Sequence, residues 1–394
     1  MNTVGYICRG LVLLLVAASA WAVPHVPRDE REVLERLPLR PSDRVAADIR
    51  KLRAAAAAAP ADPAPAVQLA RRYFDLAMAQ GDPRYIGYAD AALRPWYPKA
   101  GEASGVLTAR GLLRQYRHDF DGALDDLGAA AKADPEDPEP HAWRAAIYMV
   151  RAEYAAARRE CDALVGRSSD LHALGCTAYV DATTGNARTA YAALADALAR
   201  DPGAAPGLRL WALTRLAEIA GRLQDARAAE RHFRDALALD LTDNFLLAAY
   251  ADFLLAQNRP ADVVALLKDW TRSDTLLLRL AIAERALKLP AADQHVRALG
   301  ERFADSALRG ERLHLQEEAR YLLELKGDAR AALAAAAENW KAQREPRDAA
   351  ILLEASLAAR EPAAARPALE WLEASGFESP ALRRLAGELK TGAR

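Results

Sequence analysis

Few of the residue types that perform chemistry in proteins occur at catalytic spacing in this sequence. The nearest approach to a metal-binding motif is His314-Leu315-Gln316-Glu317-Glu318, which lacks the second histidine of H-E-x-x-H. There is no G-x-x-x-x-G-K-[ST] phosphate loop, no G-x-G-x-x-G and no G-x-S-x-G. Five further histidines are isolated along the chain: His118, His141, His172, His232 and His295. The sequence therefore predicts no enzyme, no cofactor and no metal site.

The first 22 residues have the pattern of a secretory signal peptide. Arg9 precedes the apolar run Leu11 to Ala18, and Ala20-Trp21-Ala22 supplies small residues for cleavage before Val23. An uncleaved membrane anchor is the alternative, but the run is shorter than the roughly 20 residues of a spanning helix. A lipoprotein is disfavoured because Cys8 lies before the run. We expect an exported chain without a membrane span, most simply in a bacterial periplasm.

Composition indicates a helical protein. The chain has 394 residues, of which 52% are hydrophobic and only 7% aromatic, and alanine, the best helix former, makes up roughly a quarter of them. The 53 basic and 54 acidic residues give a net charge of −1, so charge offers no general case for nucleic acid or for an anionic membrane surface. The composition therefore predicts helices, and the length predicts either two or three domains or one extended array.

An internal repeat organises these helices. A small residue in one helix is followed twelve positions later by another in the next helix, and the second positions advance by 34, 33, 39 and 34 residues. Small side chains there allow the two helices of a pair to pack closely, and an apolar residue four positions further on fills the groove beside the next pair. The small pairs are Gly111 with Ala123, Ala145 with Ala157, Ala178 with Ala190, Ala217 with Ala229, and Ala251 with Val263, and the groove fillers are Leu127, Cys161, Leu194, Phe233 and Leu267.

This pattern resembles the tetratricopeptide repeat (TPR) family, whose 34-residue helix-turn-helix unit reads W-x₂-L-G-x₂-Y…A-x₃-F…P. The matching residues are Ala157-x₃-Cys161, Ala190-x₃-Leu194, Ala229-x₃-Phe233, Tyr148, Pro135 and Pro202. The sequence departs from the family at the leading tryptophan, which is replaced by Leu107, His141, Leu174, Leu213 and Leu247, and at Leu241, where a closing proline is expected. The resemblance is clear over about residues 105 to 270.

The resemblance implies an all-α fold, a right-handed α-solenoid of antiparallel helix pairs. We expect a signal peptide over 1–22, an extension with a capping helix over 23–65, the TPR-like array over 66–345 and a helical cap over 346–394. A generic alanine-rich helical bundle is the alternative.

Two cysteines remain after signal cleavage. Cys161 fills the groove of one second helix, and Cys176 lies early in the next first helix, the surface which that groove meets. In an oxidising compartment this arrangement favours a disulfide, although two buried thiols remain the alternative.

TPR arrays hold peptides or partner proteins against the concave face that their first helices line. We expect a non-catalytic scaffold or assembly factor that binds a protein or peptide partner in the cell envelope. A groove that binds a peptide, glycan or lipid fragment as a ligand is the alternative. Aromatic rings with a run of carboxylates suit a basic or amide-rich segment, although the same charges also suit a solvated face. The residues expected to face the groove are Tyr116, Tyr179, Trp211, Glu218, Asp252, Glu284, Glu317, Tyr321 and Glu324.

Overall fold

The computed structural model describes residues 44–311 and 313–392. The predicted signal peptide, residues 1–22, and residues 23–43 of the predicted extension lie outside the described residues. The chain divides into two compact units, Met1–Asp48 and Ile49–Arg394. The helix pairs all belong to the second unit.

The described residues form an α-solenoid in which first and second helices alternate along the chain. After α1 (Arg44–Ala58), the first helices are α2 (Ala64–Gln80), α4 (Ser104–Tyr116), α6 (Glu139–Val150), α8 (Asp170–Thr183), α10 (Pro206–Arg222), α12 (Asn244–Ala256), α14 (Asp274–Ala286), α16 (Leu315–Arg320) and α18 (Pro346–Ala358). The second helices are α3 (Arg84–Leu93), α5 (Phe120–Ala133), α7 (Tyr154–Asp162), α9 (Ala187–Arg200), α11 (Ala226–Leu237), α13 (Pro260–Leu267), α15 (Ala292–Leu308), α17 (Ala329–Ala342) and α19 (Arg366–Ser375).

A last helix, α20 (Pro380–Gly392), follows the pairs. A π-helical turn, Tyr321–Lys326, continues α16, and 3₁₀ turns cover Arg94–Glu102 and Pro362–Ala365. Along the described chain, no helix has both the length and the apolarity needed to cross a membrane.

The turn inside each helix pair contains a residue with a left-handed backbone conformation, which the sequence did not predict. One residue per turn adopts positive φ, and from His118 to Asn258 these positions advance by the same 34, 33, 39 and 34 residues as the small residues. Three of these nine turn residues are glycine and six are not, so no glycine motif marks the turn along the array. Aspartates then begin several second helices, as where the Asp119 side chain accepts a hydrogen bond from the Gly122 amide at the start of α5. The turn residues are Gly81, His118, Ala152, Gly185, Gln224, Asn258, Lys288, Gly327 and Arg360.

The small residues predicted at the close-packing positions are all buried, which confirms the proposed register. Ala157, Ala217, Ala229 and Ala251 are completely excluded from solvent. The predicted groove fillers are likewise buried, at 1% exposure or less. At Gly111 a β-carbon would lie 2.8 Å from Leu127 Cγ, so the first helix there has no space for a larger residue.

The Cys161–Cys176 disulfide is present and joins α7 to α8. The two Cα atoms lie 5.5 Å apart, within the range of disulfides in proteins. Cys161 is fully buried in a small cluster with Ala145, Met149 and Ala157. The bond therefore links the second helix of one pair to the first helix of the next, as the repeat register predicted.

The solenoid curves so strongly that distant pairs meet. Helix α2 contacts α12, and a β-carbon on Gly81 would lie 2.6 Å from Ser273 Oγ. The carboxyl-terminal pairs lie against α6 to α10 in the same way. The Arg344 amide donates to the Val150 carbonyl at 2.7 Å, and Trp371 Nε1 donates to the Tyr154 hydroxyl at 2.7 Å. The chain's own last helices therefore cover part of the surface that the first helices line.

Candidate functional site

A cavity of about 880 Å³ lies between the middle first helices and the carboxyl-terminal helices. Helices α8, α10 and α12 supply one wall, with Tyr179, Arg222 and Phe245 among the lining residues. Residues 345–347 and 377–384 supply the other wall. The cavity exists because the curvature of the solenoid brings pairs that are far apart in sequence to face each other.

Charged side chains dominate the polar part of this lining. Three arginines pair with the three carboxylates: Arg215 with Glu218 at 2.8 Å, Arg347 with Glu345 at 2.6 Å, and Arg279 with Asp252 at 2.6 Å. Two further arginines, Arg222 and Arg384, also line the cavity. The lining therefore carries more positive than negative charge.

Aromatic rings contact the guanidinium groups of Arg215, Arg347 and Arg222, the last of which lies 4.3 Å from the Phe377 ring centroid. The Arg215 guanidinium lies 4.7 Å from the Tyr179 ring centroid and 4.4 Å from that of Phe245. The Arg347 guanidinium, on the opposite wall, lies 5.7 Å from the Phe245 ring centroid. Guanidinium groups in contact with ring faces gain cation–π attraction and lose conformational freedom. The side chains that could bind a ligand are thus fixed before it arrives.

Burial and neighbouring charge shift the pKa of several groups around the cavity. Burial raises the pKa of the Tyr179 hydroxyl to about 12. Burial also lowers the pKa of the Arg222 guanidinium. Burial would raise the pKa of Asp252, but the adjacent Arg279 and Arg320 guanidiniums outweigh it and hold that pKa below its usual value. Asp252 is therefore a carboxylate at neutral pH, neutralised from within the chain.

Three of the nine predicted groove residues meet at this cavity: Tyr179, Glu218 and Asp252. Tyr116 lines a second cavity, of about 910 Å³, between α3 to α4 and residues 309–343. Burial, with Asp82 and Asp274 nearby, raises the pKa of its hydroxyl to about 12.

The remaining predicted residues lie outside both cavities. Trp211 packs against Gly175, where a β-carbon would lie 2.6 Å from the indole, and Tyr321 is buried beside Phe303. Glu284 Oε2 lies 2.6 Å from His295 Nδ1.

The last two predicted carboxylates also have cationic neighbours. Glu324 pairs with Arg320 at 2.7 Å. Burial would raise the pKa of Glu317, but His314, Arg279 and Arg347 outweigh it and hold that pKa below its usual value. Glu218, Asp252, Glu317 and Glu324 are thus accompanied by positive groups of the same chain, and the predicted carboxylates do not form a free acidic strip.

Sequence reasoning missed the arginines and most of the rings. Arg215, Glu218 and Arg222 are spaced i, i+3 and i+7 on α10, so one helical face carries all three, and this signal was available from the sequence. Arg347 and Phe377 belong to segments more than 100 residues further along the chain, and no local pattern places them there. Within residues 44–311 and 313–392, no group of three or more histidine, cysteine, aspartate and glutamate side chains is arranged to hold a metal ion.

Comparisons with known proteins give similar helical arrangements and no sequence relatives. No family model matches the chain, and no curated protein matches it. Among solved structures, yeast Tom70 is 13% identical, with a TM-score of 0.42 over 88% of this chain and 85% of that one. A tetratricopeptide repeat protein from Parabacteroides merdae is 15% identical, with a TM-score of 0.29 over 73% and 98%. The P58(IPK) TPR domain is 16% identical, with a TM-score of 0.23 over 89% and 94%.

Proposed function

We propose that this protein is an exported, non-catalytic scaffold or assembly factor of the cell envelope, and that it binds a short segment of a partner protein in the cavity between α8 to α12 and the carboxyl-terminal helices. The observation that carries the proposal is the cavity's lining of fixed arginines and aromatic rings, the residue types that dominate the energetics of protein interfaces. A volume of about 880 Å³ admits a few residues of a partner and excludes a whole domain.

Export is supported by two independent features. Residues 1–22 have the signal-peptide pattern, and the Cys161–Cys176 disulfide is of the kind that persists in oxidising compartments. Mass spectrometry of the protein from fractionated cells tests this proposal. The expected mature chain begins at Val23, is found outside the cytoplasm and has no free thiol after denaturation without reductant. A full-length chain with three free thiols, those of Cys8, Cys161 and Cys176, in the cytoplasm would contradict it.

In-cell photo-crosslinking tests the binding function. A photo-reactive residue replaces Phe245 in the cavity wall, and in a matched variant it replaces Arg188, which is exposed on α9. We expect a discrete adduct with one envelope protein from position 245 and none from position 188. The same adducts from both positions, or none from either, would contradict binding at the cavity.

A ligand-binding module is the second candidate, and the size of the cavity is the observation that favours it. Small-molecule sites commonly enclose about 300–1,000 Å³, and this cavity falls in that range. A thermal-shift screen with short peptides, glycans and lipid fragments tests it. This candidate predicts a rise in Tm with one of these compounds and no protein adduct from position 245.

A further inference from the structure

We propose that the cavity lined by Arg215, Arg222 and Arg279 is an oxyanion site, so that the segment bound there presents a carboxylate or phosphate group. This inference rests on the proposed binding function and specifies the chemistry of the partner. It reverses the expectation of a basic partner, which followed from the predicted run of carboxylates.

The balance of charge is the first argument. Five arginines line the cavity and three carboxylates accompany them, each within 2.8 Å of one arginine. Of the other two arginines, Arg384 has an exposed side chain, and its Nε lies 3.8 Å from Glu388 Oε1. Arg222 forms no ion pair within the described part of the chain. Its guanidinium donates one hydrogen bond to the Ala182 carbonyl at 3.0 Å and lies 4.3 Å from the Phe377 ring.

Unused hydrogen-bond donors are the second argument. Nε of Arg215 and Nε of Arg279 are buried and have no hydrogen-bond partner among the described residues. Arg279 is 2% exposed, so this donor lies in the protein interior. Buried donors without a partner are costly, and a bound acceptor or an ordered water relieves that cost.

The amino-terminal end of α20 is the third argument. Ser379, Pro380 and Ala381, at the start of this 13-residue helix, line the same cavity as Arg222. The positive end of the helix dipole favours an anion there. Pro380 has no N–H and the Leu382 amide donates to Ser379 Oγ at 3.3 Å, so the dipole rather than a set of free amides is what α20 contributes. The excess of arginines and the helix dipole thus act on the same cavity.

The arginine side chains suit a carboxylate or phosphate better than a spherical anion such as chloride. A guanidinium presents parallel N–H groups that match two oxygens of a carboxylate or phosphate. Because Arg215 is held between the rings of Tyr179 and Phe245, its plane is fixed before binding. The apolar rings at the wall would contact the carbon skeleton next to the oxyanion.

Isothermal titration of the mature chain tests the site with defined probes. The probes are inorganic phosphate, the diacidic peptide acetyl-Glu-Glu-amide and, as a control of opposite charge, acetyl-Lys-Lys-amide. We expect saturable binding of at least one oxyanion that weakens as salt is added, and no binding of the lysine peptide. The stronger probe identifies the source, phosphate or carboxylate. Binding of neither oxyanion, or equal binding of the lysine peptide, would overturn the inference.

Two variants change the affinity in opposite directions, which general damage to the fold would not do. Arg222→Gln removes the unpaired cation and should weaken binding roughly tenfold to a hundredfold, because hydrogen bonds to charged groups are strong. Glu218→Gln removes a competing carboxylate beside Arg215 and should strengthen binding. Arg188→Gln is the matched control, since Arg188 is exposed and forms no ion pair among the described residues, and it should leave the affinity unchanged.

Equal loss of affinity in Arg222→Gln and Glu218→Gln would overturn the oxyanion site. The outcome is separable from that of the crosslinking experiment. If a partner is trapped from position 245 while no oxyanion binds, the proposed function stands and this inference fails. If an oxyanion binds at the cavity while no partner is trapped, the oxyanion site stands and the scaffold function fails.

Discussion

Reducing the Cys161–Cys176 disulfide should destabilise two neighbouring helices without unfolding the whole solenoid. The bond closes a loop with a sequence separation of 15 residues. In the chain-entropy model, closing a loop of this length lowers the entropy of the unfolded chain by about 10 cal/mol/K. The disulfide thereby raises the free energy of unfolding by about 3 kcal/mol at 25 °C. Because each pair of a solenoid contacts mainly its neighbours, this loss should concentrate in α7 and α8.

Hydrogen exchange of the backbone amides, with and without reductant, resolves such a local effect. A loss of about 3 kcal/mol corresponds to exchange more than a hundredfold faster in α7 and α8. Amides of α14 and α15, several pairs away, serve as the internal control and should exchange at unchanged rates. The same wild-type chain is compared in both states, so no side-chain volume is changed.

Two results would refute this reasoning. One is unchanged exchange in α7 and α8 although thiol titration shows that the bond is reduced, which would mean that the loop is already constrained without it. The other is an equal acceleration in all helices, which would mean that the array unfolds as one cooperative unit. The Cys161→Ala, Cys176→Ala double variant should reproduce the reduced state, with an additional cost because Cys161 is fully buried.

Four other substitutions test the turns, the packing and a buried carboxyl group. Ala152→Gly should raise the free energy of unfolding by about 1 kcal/mol in denaturant titrations, because φ is +60° there, whereas Gly185→Ala at φ +85° should lower it. Gly111→Ala should lower the unfolding free energy by about 1–3 kcal/mol in the same titrations, because its β-carbon would lie 2.8 Å from Leu127 Cγ. Burial raises the pKa of Glu354 from 4.5 to about 7, so wild-type stability should fall as pH rises from 4.5 through 7. Glu354→Gln should therefore match wild type in Tm below pH 4.5 and exceed it at pH 8.

The register of the helix pairs was predictable because it depends on local spacing. Two helices that cross closely need a small residue on each, and the short turn between them fixes the separation of those residues at twelve. Ala157 with its partner Ala145, and Ala229 with Ala217, are buried for this reason. The same register placed Cys161 next to Cys176. The left-handed turn residue between the helices was not predicted, because Ala152, Gln224 and Lys288 are of types that carry no signal for positive φ.

The cavity was not predictable to the same degree, because its walls come from pairs far apart in sequence. Which pairs face each other depends on the angle added at every junction between neighbouring pairs, and small differences at each junction accumulate along the array. The sequence gives no measure of these angles. It therefore could not show that Arg347 and Phe377 lie opposite Phe245 and Arg222, although each is within contact distance of its partner.

The sign of the charge in the cavity depends on this same curvature. Along each helix considered alone, Glu218, Asp252 and Glu324 form an acidic series, and that series favoured a basic partner. In the folded chain, Arg320 donates to Asp252 from a helix 68 residues away, and Arg279 donates to it from the next pair. This carboxylate is therefore neutralised by arginines of the same chain. Arg222 has no such partner among the described residues. A ligand meets only the charges that are not neutralised by ion pairs within the chain. In this cavity the unneutralised charge is positive.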